Sequence, residues 1–302
     1  MRILISGGSG FVGSALTKLL RANGHAVSHL VRPTARTEAA DVPWDPLAAK
    51  IDAPPMEGTD AVVHLSGASI AARRWTPARK AELRRSRIDT TRVLVDTLLK
   101  LRQKPRAFVC ASAIGYYGDR GEEILTESSS CGTDFLALLA SDWEAEAERA
   151  ERGGIRTVQL RFGVILDAHG GALPKILKPI RWGIGGQFGS GQQWMSWIAL
   201  EDAADAARNA IFDERYHGPI NVVAANPVRN SEFTRVVARI LHRPAVFPVP
   251  KFALRLALGE MAQPLLLAST RVRPERLMEL GYTFRYDNLE AALQKMIGKS
   301  EI

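Results

Sequence analysis

Short apolar runs rich in branched residues alternate along the chain with stretches whose apolar positions recur every three or four residues. RILIS (2–6) reads as a buried strand, and FVGSALTKLLRANG (11–24) as an amphipathic helix that stops at Gly24. HAVSHLVR (25–32), DAVVHLSGA (60–68) and RAFVCASA (106–113) repeat the strand pattern, and a long helical stretch from Thr76 to about Leu101 precedes the last of them. A helix around 133–152 then leads to the strand IRTVQLRFGV (155–164). Strands alternating with helices predict an α/β, doubly wound parallel sheet covered on both faces. Past Leu166 the pattern changes. Residues 167–197 are rich in glycine and aromatics, helix (about 200–213) and strand (218–225) return, and a proline-punctuated helical region follows. The expected organisation is a core over 1–165, rejoined by 198–225, and a smaller, mostly helical lobe from 166–197 and 226–302.

Between the first strand and the first helix, Gly7, Gly10 and Gly13 have G-x-x-G-x-x-G spacing. This is a variant of the dinucleotide fingerprint, in which glycine permits a tight turn and close backbone approach to a pyrophosphate. The helix N-terminus adds unpaired N–H groups and the positive end of its dipole. NAD-binding proteins usually place Asp or Glu at the end of the second strand, to meet the adenosine ribose. This chain has Val31 and Arg32 there, with Arg36 close behind and no acid before Glu38. A guanidinium suits a 2′-phosphate, so NADP(H) is favoured over NAD(H) as the cofactor.

Of the 302 residues 46% are hydrophobic and 24% charged, as in ordinary soluble globular proteins. No apolar stretch approaches the ~20 residues of a membrane span, and the glycines of 3–20, with no cleavage-like ending, argue against a signal peptide. No membrane partner is expected, and a cytoplasmic location is. Cys110 and Cys131 form no disulfide framework, no His, Cys, Asp and Glu set has metal-ligand spacing, and His64 reads as structural. The net charge of +8 is uneven: cations crowd 73–106, whereas DWEAEAERAE (142–151) is acidic. The basic segment reads either as an anion-binding surface or as a solvated helix face. A nucleic-acid partner rests on it alone and is not expected.

Seven stretches carry a resemblance: GGSGFVGSAL, AVVHLSGA, RRWTPARKAELRRSRIDTTRVL, ASAIGYYG, GGALPKILKPIRWGIGGQFGSGQQWMSWIALEDAADA, NPVRNSEF and GYTFRYDNLEAAL. Together they resemble the extended short-chain dehydrogenase/reductase superfamily, and within it the atypical, epimerase-like branch sometimes labelled cell-division inhibitor. The resemblance covers nearly the whole chain and implies a Rossmann-type core binding NADP(H). By it, Gly7, Gly10, Phe11, Val12 and Gly13 surround the pyrophosphate, and Val31 and Arg32 the adenosine 2′-phosphate. Leu65 and Ser66 present backbone to the cofactor, and Gly163 and Val164 lie near the nicotinamide carboxamide. Glu82 and Arg87 are implied contacts to ribose hydroxyls and phosphate; the alternative is an ion pair on the helix surface.

Typical members of the superfamily carry Tyr-x-x-x-Lys on the helix after the serine strand, the lysine lowering the tyrosine pKa. The matching stretch here, GTDFLALLASDWE (132–144), has Phe135 and Leu139 at those positions and neither tyrosine nor lysine. Ser112 keeps the family's serine position, and Tyr116 or Tyr117 could supply the proton chemistry, with Arg161 or Lys175 nearby. The alternative for each tyrosine is simple packing. Gln193, Trp194 and Met195 are candidate lining of a substrate loop over 182–197. The chain thus reads as an NADP(H)-binding oxidoreductase or nucleotide-sugar-epimerase-like protein of unknown small-molecule substrate, transferring hydride at a carbon bearing oxygen. The alternative is a non-catalytic NADP(H)-sensing regulatory protein.

Overall fold

The computed structural model describes residues 1–32, 38, 40–46 and 48–298; Arg36 lies outside them. The chain begins β1 (Arg2–Ser6), α1 (Phe11–Ala22), β2 (Ala26–Val31), β3 (Val42–Asp45), β4 (Lys50–Ile51), β5 (Ala61–His64), α2 (Pro77–Arg84), α3 (Thr90–Lys100) and β6 (Ala107–Ala113). It continues β7 (Ile124–Leu125), α4 (Phe135–Arg152), β8 (Arg156–Phe162), β9 (Val164–Asp167), β10 (Gly170–Gly171), α5 (Leu173–Arg181), β11 (Trp194–Met195) and β12 (Trp197–Ala199). The last elements are α6 (Leu200–Phe212), β13 (Gly218–Val222), β14 (Val228–Arg229), α7 (Asn230–Ile240), α8 (Lys251–Leu258), β15 (Arg271–Val272), α9 (Glu275–Glu279) and α10 (Leu289–Gly298).

Eight strands form one sheet in the order β13-β8-β6-β5-β1-β2-β3-β4. The pairs β1–β2, β1–β5, β2–β3 and β5–β6 are parallel, and β4 is an antiparallel edge strand. This is a Rossmann-type α/β fold, and its strand order reverses beside β1, the switch point where such sheets take their ligands. β3 and β4 were not foreseen, because VPWD and KI are too short to show a period and the first contains Pro43.

Contacts divide the chain into two units of similar size. The first comprises Met1–Ala113, Leu139–Arg161 and Ala204–Ile220; the second comprises Ile114–Leu138, Phe162–Ala203 and Asn221–Ile302. Residues 114–138, expected in the core, therefore group with the second unit.

In the first unit Leu4, Leu30, Val62 and Phe108 project from the sheet onto Leu94 and Leu98 of α3 and Trp143 and Ala147 of α4. Each such leucine or phenylalanine, taken fully from water, contributes about 1.5–3 kcal/mol. On α3 the buried positions Thr91, Leu94, Val95 and Leu98 follow the helical period, so one stripe faces the sheet. α2 starts at Thr76, whose hydroxyl accepts the Arg79 amide at 3.2 Å, with Pro77 in the first helical turn. It passes into α3 through a wide π-type turn at Arg85–Asp89. Cations of this helix pair meet acids of α4, Arg84 with Asp142 at 2.6 Å and Arg92 with Glu146 at 2.8 Å, while Asp96 of α3 pairs the other way, with Arg149 of α4 at 2.5 Å.

The second unit has its own core, in which Leu173 and Leu177 of α5, Phe233 and Val237 of α7, and Leu289 and Leu293 of α10 enclose Trp197. A separate cluster joins Ile114, Tyr117, Leu125, Val223 and Val272. No helix of the described residues is long and apolar enough to cross a membrane.

Candidate cofactor and active site

The glycine loop is built by close approach. Gly7 has φ +73°, and a Cβ there would lie 2.8 Å from the Leu65 carbonyl carbon and 3.0 Å from the Ser66 amide nitrogen. A Cβ on Gly13 would meet the Gly7 carbonyl oxygen at 2.2 Å. The turn closes through the Gly10 amide, which donates to the Gly7 carbonyl at 2.9 Å, and Phe11 and Val12 open α1, half-buried. Parallel register aligns the neighbouring strand ends: Ser6 opposes Leu30 and His64, and His64 opposes Cys110. The expected groups Gly7, Gly10, Gly13, Val31, Arg32, Leu65, Ser66 and Ser112 therefore all follow or end strands at the carboxyl side of one sheet. Arg32 is exposed there.

Arg87 projects from the π-type turn and is buried. It donates to the Ala68 carbonyl at 3.0 Å, its guanidinium carbon lies 5.3 Å from the centre of the Trp143 ring, and a Cβ on Gly67 would touch it at 3.2 Å. Burial, with a smaller contribution from the charge of Arg79, lowers its pKa to about 10. No carboxylate among the described residues is ion-paired with it. Glu82, for which the resemblance implies a ribose contact and the alternative is an ion pair within the helix, binds Arg73 at 2.5 Å and Arg79 at 2.7 Å. Its hydrogen bonds from Arg79 and then Arg73 hold its carboxyl below the usual range. The pair with Arg79 lies within α2, three residues apart. Arg79 also donates to the Ser69 carbonyl.

Ser112, on β6, is buried and donates to Glu144 Oε1 at 2.6 Å. Arg161 of β8 grips the same carboxylate twice, Nε to Oε1 at 2.8 Å and Nη2 to Oε2 at 2.7 Å. Arg161 is 3% exposed, so the substrate-lining role foreseen for it is replaced by a buried bidentate ion pair. The two tyrosines separate as well. Tyr117 is fully buried and donates to Asn221 Oδ1 at 2.7 Å, which leaves its hydroxyl in a structural bond and removes it as a candidate proton donor. Tyr116 is half-buried, its ring edge-on to Tyr117 at 5.3 Å.

In the second unit Gly163 donates to the Val222 carbonyl at 3.1 Å, and the Val164 amide to Ser196 at 2.9 Å. A Cβ on Gly163 would lie 2.6 Å from the Ser196 carbonyl oxygen. Gln193 donates to the carbonyls of Phe188 at 3.0 Å and Leu266 at 2.9 Å. The Trp194 indole donates to Glu122 at 2.9 Å, and its ring has Arg229 at 4.7 Å and Arg271 at 4.4 Å. Met195 packs on the core around Trp197. These three are knitted into their own unit, whereas Lys175 is exposed on α5.

Sequence reasoning missed Glu144. Its signal lay in the period of α4, where Ala140, Trp143, Glu144 and Ala147 form a buried stripe containing one acid. Arg87 shows the same sign, falling in the stripe Leu83–Arg87–Thr91–Leu94. A charged residue at a core-facing position of a helix needs a buried partner or a ligand. His64 sits with Nδ1 2.6 Å from Ser6 Oγ, and burial, then the charge of Arg87, lowers its pKa to about 3.

The fold and the strand-end glycine loop define a dinucleotide-binding protein of the Rossmann class. The sequence pattern of the NAD dependent epimerase/dehydratase family matches residues 3–222, and a domain of unknown function, DUF1731, matches 249–296. The chain belongs to the NAD dependent epimerase/dehydratase family, in its epimerase-like, extended short-chain dehydrogenase/reductase branch. It is 40% identical over 300 residues to the epimerase family protein YfhF of Bacillus subtilis, covering 98% of each chain. A crystal structure of the human epimerase family protein SDR39U1 (isoform 2) with NADPH superposes at TM-score 0.91, with 35% identity and 99% of each chain covered. A nucleoside-diphosphate sugar epimerase from Corynebacterium glutamicum gives TM-score 0.83 at 37% identity, covering 99% of this chain and 58% of that one.

Proposed function

We propose that the protein binds NADP(H) and catalyses hydride transfer at an oxygen-bearing carbon of a small-molecule substrate. The observation that supports this most strongly is the cradle at the sheet's carboxyl edge. Gly7 and Gly13 have no room for a Cβ, and Arg87, buried and without a carboxylate partner among the described residues, reaches from the π-type turn to the Ala68 carbonyl just past β5. That combination fits a pyrophosphate, which supplies the counter-charge Arg87 lacks. Arg32 fits the adenosine 2′-phosphate, and the NADPH held by the human relative agrees with that choice. Gly163 and Val164 are assigned to the carboxamide on the resemblance alone. When bound, the nicotinamide supplies the hydride donor or acceptor.

Ser112 orients the substrate oxygen. Its own proton points at Glu144, so its lone pairs are left to accept a hydrogen bond from a substrate hydroxyl. Arg161, held on both carboxylate oxygens, fixes the direction in which Glu144 faces. In the oxidative direction the hydroxyl proton passes to Ser112 as the serine proton passes to Glu144. Tyr116 is the second proton-bearing group on this segment. With Phe135 and Leu139 replacing the usual tyrosine and lysine, Ser112 and Glu144 carry the role of that pair.

The test is single-turnover oxidation of NADPH at 340 nm against a panel of carbonyl compounds and nucleotide sugars. Turnover abolished by Ser112→Ala, with NADPH affinity unchanged, is the expected result. Tight NADPH binding with no turnover across the panel would favour the sensing reading, for which the missing Tyr-x-x-x-Lys pair is the specific support.

A further inference from the structure

We propose that the second unit carries a docking surface for anionic membrane lipid, formed by the end of α5, the segment that follows it and α8. Segments 173–190 and 241–258 together contain six Lys and Arg and no Asp or Glu, in a chain with 32 acidic residues. The same segments expose six large apolar side chains: Trp182, Ile184, Val246, Phe247, Phe252 and Leu256, from 61% exposed at Phe247 to 76% at Leu256. Isolated exposed apolar residues need no explanation, but a cluster of this size marks an interaction site.

The two segments run side by side where 186–189 meets 247–251. Phe188 and Val249 form a parallel bridge, Gly189 donates to Val249 at 2.9 Å, and Val249 donates to Gln187 at 2.9 Å. A Cβ on Gly186 would fall on the Phe247 carbonyl, and one on Gly189 would lie 3.0 Å from Lys251 at the start of α8. Leu254, buried with Ala262 and Leu267, anchors α8 by one face. Phe252 and Leu256, four residues apart, share the opposite face and are flanked by Lys251 and Arg255. Lys178 caps the exposed Trp182 ring at 5.2 Å. A groove of about 630 Å³, lined by Gln187, Arg235, Arg239, His242, Arg243 and Val246, adjoins the patch through Gln187 and Val246.

Aromatic and aliphatic tips surrounded by cations of one sign match the acyl–headgroup boundary of an anionic bilayer. There the tips enter the interface and the cations meet lipid phosphates. The absence of any carboxylate from the two segments is what selects anionic lipid over an apolar protein partner, whose rim would mix both signs. The protein would bind peripherally, through this face.

The test is flotation of the full chain with vesicles of phosphatidylcholine alone and of phosphatidylcholine with phosphatidylglycerol, at low and at high salt, with light scattering on the free protein. Binding to the anionic vesicles only, weakened by salt, is expected. Lys251→Ala and Arg255→Ala should each lower the partition constant about fivefold, and the Phe252→Ser, Leu256→Ser double variant by at least about tenfold. All four side chains are exposed, so circular dichroism of the variants should match that of the wild type. Equal binding to neutral vesicles, no binding to anionic ones, or variants that bind as the wild type does would overturn the proposal. So would a dimer in light scattering that dissociates on Phe252→Ser, Leu256→Ser while vesicles stay unbound, since a second copy would then cover this face.

Discussion

Replacing Glu144 with alanine removes the acceptor for three hydrogen bonds at once: Ser112 Oγ at 2.6 Å, Arg161 Nε at 2.8 Å and Arg161 Nη2 at 2.7 Å. The side chains of Arg161 and Glu144 are 3% and 8% exposed, so water does not readily replace the lost acceptor. Breaking a buried pair from one side costs about 3–5 kcal/mol, because the remaining charge stays in low dielectric. A unit of this size shifts in Tm by about 2–4 °C per kcal/mol, so Glu144→Ala should melt roughly 6–20 °C below the wild type. Urea unfolding followed by far-UV circular dichroism should show the midpoint falling while the slope stays constant. The Glu144→Leu, Arg161→Met double variant should recover most of the loss, since apolar replacement of a whole buried pair is often neutral. A double-mutant cycle should then return a coupling of more than about 3 kcal/mol, because the double variant loses less than either single one. A loss under about 1 kcal/mol for Glu144→Ala, or additive effects in the cycle, would refute the pairing on which the role of Ser112 depends.

Gly13→Ala places a Cβ 2.2 Å from the Gly7 carbonyl oxygen; the turn must open, at a cost of about 1–3 kcal/mol, and NADPH affinity measured by fluorescence should drop more than about tenfold. Tyr117→Phe leaves Asn221 Oδ1 without its donor and should lower stability by about 1–3 kcal/mol with turnover intact; a turnover loss without a stability loss would return Tyr117 to the active site. His64 is predicted to drive an acid-side loss of stability. Its folded pKa is depressed to about 3, so the unfolded chain takes up a proton below about 6.5 while the folded one does not. Stability is complete above that pH and lost as pH falls, by about 2–3 kcal/mol at pH 4.5. His64→Asn should remove that slope in urea titrations run between pH 7 and 4.

The sheet and the glycine loop were legible because both are written locally. RILIS and the helix period of 11–22 sit on either side of three glycines, and that order allows one supersecondary unit. The second strand's terminal Arg32 was legible for the same reason. Pairings between distant residues were not. Ser112 and Glu144 are 32 residues apart, and nothing in their spacing says that a helix brings the acid to the strand end. Arg161 looked like a polar residue near a pocket, and only the β8–α4 packing shows that it is the partner of Glu144. Among the cations of 73–106, Arg84 and Arg92 are met by α4, which lies about fifty residues on. Tyr116 and Tyr117 are indistinguishable by sequence; the short helical turn at Ile114–Tyr117 buries one ring and leaves the other half-buried. Segment 114–138 looked continuous with the core strand before it, yet its contacts belong to the second unit.

The central claim is that Arg32 reads the 2′-phosphate beside a pyrophosphate cradle. Titrating the wild type and Arg32→Asp with NADPH and with NADH, by nicotinamide fluorescence, tests it most directly. A charge-assisted hydrogen bond to phosphate contributes about 1.5–3 kcal/mol, so the substitution should weaken NADPH by roughly 10–150-fold and leave NADH within about twofold. Equal losses for both nucleotides, or a wild type that binds NADH as tightly as NADPH, would contradict the account.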